Sequence, residues 1–98
     1  MIDIKKLENI LIDLWQGKDI DVEELTGIVN EDIEIIFDSV SNLRRIGVEF
    51  PLEYITTAMK NMAVAIEKKD DYLLADNICH EWIEIFMVFN ETVFEYGE

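Results

Sequence analysis

The chain of 98 residues carries 22 acidic against 8 basic side chains, a net charge of −14, and that sign opposes attraction to nucleic acid or to an anionic membrane surface. Half of it is hydrophobic, with two Trp, three Tyr and five Phe, which excludes an acidic disordered tail and suits one helical domain over 1–98. The lone Cys79 can make no internal disulfide, and four Gly with one Pro favour long, uninterrupted elements.

The start, Met1-Ile-Asp-Ile-Lys-Lys-Leu-Glu, lacks the apolar stretch of a secretory signal. The longest apolar run, Ile85-Phe86-Met87-Val88-Phe89, falls far short of the roughly 20 residues that span a bilayer. A soluble cytoplasmic protein is expected, with neither membrane nor nucleic acid as a partner.

Turn signals at Gly17-Lys18-Asp19, at Gly47 to Pro51 and at Lys68 to Asp71 divide the chain into four segments of helical periodicity. The first runs from about Asp3 to Gln16. Asp3 can cap it, Ile2 and Leu7 can form a hydrophobic staple, and Leu7, Leu11 and Leu14 make a stripe widened by Ile4, Ile10 and Trp15. Asp21 opens the second, whose series Leu25, Val29, Ile33, Ile36, Val40 and Leu43 keeps a helical period. Gly27 lies inside it and Asn30 could cap a fresh start, so a break or kink is allowed between them. Glu31, Asp32, Glu34 and Asp38 could form an acidic patch on this helix.

Pro51 fits the first turn of the third helix. Leu52, Ile55, Met59, Met62 and Ile66 then form a seam, and Ala58, Ala63 and Ala65 allow close approach. Asp70 or Asp71 caps the fourth and longest helix. Its core seam is Ala75, Cys79, Trp82, Phe86, Phe89, Val93 and Tyr96, widened by Ile78 and Ile85. Four amphipathic helices with short connections predict an all-α, up-and-down four-helix bundle. The alternative is a three-helix bundle with a loosely docked N-terminal helix.

Chemistry-bearing residues are sparse. Asp76, His80 and Glu84 stand at helical steps of four on one face, a spacing at which carboxylates and imidazole can share a metal, but that face points away from Trp82 and the core. The bundle-core Glu-x-x-His pair and a second histidine are both missing from the sequence. Cys79 lies on the seam beside Asp76 and Glu81, whose negative charge is the opposite of what a reactive thiolate needs. No glycine-rich phosphate loop, Ser-His-Asp set or calcium loop occurs. The expectation is no enzyme, and no catalytic, cofactor-binding or metal-ligating residue.

A second stripe on the last helix is more informative. Ile83, Met87, Asn90 and Phe94 lie at steps of four, three and four, about 100° round from the core seam. A helix apolar over so wide an arc either sits centrally among its neighbours or is covered by another chain.

The run Asp70-Asp-Tyr-Leu-Leu-Ala-Asp-Asn-Ile-Cys-His-Glu-Trp82 resembles the opening of the last helix in short bacterial helical proteins of Firmicutes type, which carry D-Y-x-L-L-A-D-x-x-x-x-E and have no assigned activity. Asp71, Tyr72, Leu74, Ala75, Asp76 and Glu81 match it; Asn77, Cys79, His80 and Trp82 depart from it. The resemblance implies a motility or flagellar setting, with Asp71 as cap, Leu74 and Ala75 in the core, and Asp76 and Glu81 as polar anchors toward Arg44, Arg45 or Lys60. The functional expectation is a non-enzymatic protein–protein interaction module that self-associates, as a homodimer, through Ile83, Met87, Asn90 and Phe94. The alternative is an acidic inhibitor or chaperone that masks a basic protein partner in a motility or export setting.

Overall fold

Three of the chain's helices end in the same device, a residue with left-handed backbone that turns the chain back on the last carbonyls. A computed structural model describes residues 1–96. Its helices are α1 (Lys5–Trp15), α2 (Val22–Arg45), α3 (Glu53–Lys68) and α4, which runs through Asp71–Asn77, a π-helical turn Ile78–Trp82 and Ile83–Tyr96. At the end of α1, Gly17 has φ 74°, its N–H donates to the Leu14 carbonyl and Lys18 N–H donates to that of Asp13. Gly47, φ 83°, does the same for α2, with Val48 N–H donating to the Leu43 carbonyl at 2.9 Å. At the end of α3 the left-handed residue is Lys69, φ 53°, and Asp70 N–H donates to the Ala65 carbonyl. These are Schellman closures, which satisfy carbonyls that a helix end leaves free.

The starts are capped by carboxylates where the sequence supplies them. Asp21 accepts from the N–H groups of Glu23 and Glu24, and Asp70 from that of Leu73. Asp3 accepts from Lys5 N–H, although α1 begins two residues later than expected. α3 begins at Glu53, so Pro51 lies ahead of the first turn rather than inside it.

One cluster of buried side chains draws on all four helices, with Ile2 from the segment before α1 and Phe50 from the connection between α2 and α3. The fold is therefore an all-α bundle of four helices, about 43 Å long. α1 is a full member: Leu7, Ile10, Leu11 and Leu14 are buried, which disposes of the loosely docked alternative. α2 runs unbroken past Gly27 and Asn30, because nothing there displaces a backbone hydrogen bond and both residues face outward. α4 is the central helix and packs against each of the other three.

Several expected core positions sit elsewhere. Trp15 is exposed, and so are Met59, Ala63 and Tyr96. Cys79 is half-buried rather than central. The working seam of α3 is Ile55, Ala58, Met62 and Ala65. Ala58 replaces Met59 in it because α4 approaches so closely that Asn77 donates through Nδ2 to the Ala58 carbonyl at 3.0 Å. In α4 the buried series is Leu74, Ala75, Asn77, Ile78, Trp82, Ile85, Phe86 and Phe89. Trp82 stacks on Phe86, with centroids 5.6 Å apart, and Phe50 meets Phe89 edge-on.

Candidate functional site

The outer stripe of α4 divides in two. Ile83 is half-buried against the core, and Asn90 is half-buried because it holds the N-terminal segment. Ile2 N–H donates to Asn90 Oδ1, and Asn90 Nδ2 donates to the Ile2 carbonyl, both at 2.8 Å. This reciprocal pair mimics a β-bridge and seats Ile2, 4 % exposed, in the core. Two of the four stripe residues thus have partners within the chain. Met87 and Phe94 remain open to solvent, at 47 % and 78 % exposure. Met1 and Phe94, with Asn90, Glu91 and Glu95, border a shallow hollow of about 550 Å³.

A different constellation occupies the other flank of α4. The π turn is closed by Ile83 N–H donating to the Ile78 carbonyl, five residues back. Such turns insert one residue into a helix and are frequent at functional positions. Next to it the buried Asn77 donates to the Ala58 carbonyl and to Glu81 Oε1 (2.8 Å), while Asn61 Nδ2 donates to Glu81 Oε2 (2.8 Å). Glu81 is therefore an anchor between α3 and α4, but through two amides and not through Arg44, Arg45 or Lys60. Asp76 is exposed. Among the described residues the ion pairs are Lys18–Asp13 and Arg44–Glu49, both on the surface.

Beside this network the start of α3 and the middle of α4 diverge into a groove of about 340 Å³. Phe50 and Ile85 form its floor, Pro51, Tyr54 and Val88 its walls, and Thr57, His80, Glu81 and Glu84 its polar edge. The groove went unread in the sequence because it depends on how far two helices splay. Its one legible sign was Phe50-Pro51, an aromatic at the bend of a connection.

His80 and Glu84 face outward with Asp76. Among the described residues no three His, Cys, Asp or Glu side chains converge closely enough to hold a metal ion. Asp32 departs from the expected acidic patch: Glu31, Glu34 and Asp38 are exposed, but Asp32 is buried and its Oδ2 has no hydrogen-bond partner. Burial pushes its pKa from 3.8 up to about 6, assisted by the charges of Glu31 and Asp3 and opposed by Lys6. The Asn77 Oδ1 and Trp82 Nε1 atoms are also buried without a partner.

No protein-family model matches the chain, and no curated protein or solved structure matches it significantly. The stretch that resembles the Firmicutes-type run has one residue fewer between Tyr72 and Asp76 than that run, so Asp71-Tyr72 and Leu73-Leu74-Ala75-Asp76 cannot both be in register with it. The cap in this stretch is Asp70, while Leu74 and Ala75 are buried. No helix among the described residues is long and apolar enough to cross a membrane.

Proposed function

We infer that the chain is a non-enzymatic protein–protein interaction module that self-associates through the outer face of α4. The observation that carries this reading is the exposed pair Met87 and Phe94, flanked by Met1, on the helix that already contacts every other helix of the bundle. The Asn90–Ile2 clamp narrows the surface offered to a partner and fixes its edge, so the face needs little ordering before it binds. Met87 and Met1 add side chains that adapt to a second surface. Met87, Glu91 and Phe94 follow at steps of four and three, so a second copy would meet two apolar side chains with a carboxylate between them.

A dilution series followed by backbone amide shifts tests this. Self-association moves Met87, Glu91 and Phe94 with concentration and leaves Tyr54 and Thr57 in place. Shifts independent of concentration contradict it.

The second reading is an acidic inhibitor or chaperone that masks a basic protein in a motility or export setting. The groove beside Glu81 and Glu84 favours it, since among the described residues no Lys or Arg lines that groove. Association of this kind weakens as salt screens it, whereas pairing of two copies that each carry −14 strengthens.

A further inference from the structure

We propose that the groove between the start of α3 and the middle of α4 is the docking site for a basic, amphipathic helical segment of another protein. This rests on the second reading above and names the surface through which it acts. Three observations carry it.

The first is shape. The hollow is about 340 Å³, and its apolar floor and walls come from α3, α4 and the connection that leads from α2 into α3. Phe50, buried edge-on against Phe89, makes the floor rigid, while Tyr54 and Val88 stay 61 % and 49 % exposed. Apolar side chains spaced three and four apart on a helix suit such a trough.

The second is charge. Glu81 and Glu84 edge the groove, and Arg44, which lines the adjoining hollow, is turned to Glu49 with Nε 3.5 Å from Oε1. A second copy would bring another −14 to this edge. Lysine or arginine at the margin of an apolar helix face meets both needs, because their aliphatic stems extend the apolar contact while the cation reaches a carboxylate.

The third is preorganisation. Both oxygens of Glu81 are held at 2.8 Å by neutral amides, Asn77 and Asn61, which fix the carboxylate without cancelling its charge. Asn77 is itself buried and tied to α3 through the Ala58 carbonyl. The π turn carries His80 and Glu81 on this edge. A fixed anion beside a fixed apolar floor orders little on binding.

The test titrates the isotope-labelled chain with a short helical peptide of Leu and Lys, and with its Leu and Glu counterpart, at low and high salt. The Leu/Lys peptide should shift amides of Tyr54, Thr57, Glu84 and Val88, and its affinity should fall with salt. The Leu/Glu peptide should not bind. The variant Glu84→Lys with Val88→Ser, altered only at exposed positions, should keep its helical circular dichroism and bind roughly tenfold more weakly. Met87→Asp with Phe94→Asp, on the other flank of α4, should bind as the native chain does. Equal affinity of the groove variant, or shifts centred on Met87 and Phe94, overturns this site and leaves the charge-based reading standing. Absence of any binding of the Leu/Lys peptide at low salt overturns both.

Discussion

Lys69 and Gly27 are each the wrong residue for their backbone, and they can be corrected independently. Lys69 holds φ 53°, where a β-carbon is unfavourable, while Gly27 lies in the regular part of α2 with nothing within 4 Å of a would-be β-carbon. Lys69→Gly and Gly27→Ala should each stabilise the fold by about 0.5 to 1 kcal/mol in urea denaturation, through relief of left-handed strain and through helix propensity respectively. Asp32 is a second kind of misfit. Its pKa is raised from 3.8 to about 6, so the native state binds the proton more tightly than the unfolded chain. Stability is then unreduced below the unfolded value, falls as pH rises between the two, and stays reduced above the higher one. Asp32→Asn should therefore stabilise the protein on the order of 1 to 3 kcal/mol near pH 8, with most of that gain gone near pH 4. The caps at Asp21, Gly17 and Gly47 were legible because their chemistry is local. Asp32 was not, since its burial depends on the start of α1 lying over α2.

At the scale of the element, α3 and α4 show where periodicity runs out. Both Met59 and Ala58 fit a helical seam, and hydrophobicity alone favours the methionine. Contact with α4 selects the alanine, because only a small side chain admits the Asn77 amide to the Ala58 carbonyl. The π turn was likewise illegible: an inserted residue leaves apolar spacing nearly unchanged and shows only in the Ile83 N–H bond to the Ile78 carbonyl. Asn77 joins the two features. Asn77→Ala should cost about 1 to 3 kcal/mol, the loss of one buried and one partly buried hydrogen bond. Asn77→Asp should cost more at neutral pH, because it sets a carboxylate against Glu81 and the Ala58 carbonyl, and part of the loss should return in acid. Equal thermal midpoints for the two variants across pH would contradict this.

For the whole molecule, the number of helices and the place of three connections followed from turn chemistry and periodicity, while the extent of the outer surface did not. The stripe Ile83, Met87, Asn90 and Phe94 was visible as spacing, yet spacing could not reveal that Asn90 meets Ile2 across 88 positions of sequence. Met87 and Phe94 on one flank of α4 and the Tyr54–Val88 groove on the other are among the exposed apolar side chains, as are Trp15, Phe37 and Tyr72. Light scattering across a concentration series, at low and high salt, tests the account most directly. The native chain should rise from monomer mass toward dimer mass as concentration increases, more readily at high salt, and Met87→Asp with Phe94→Asp should remain monomeric throughout. A native chain that stays monomeric at every concentration and salt, or a double variant that assembles as the native chain does, would contradict it.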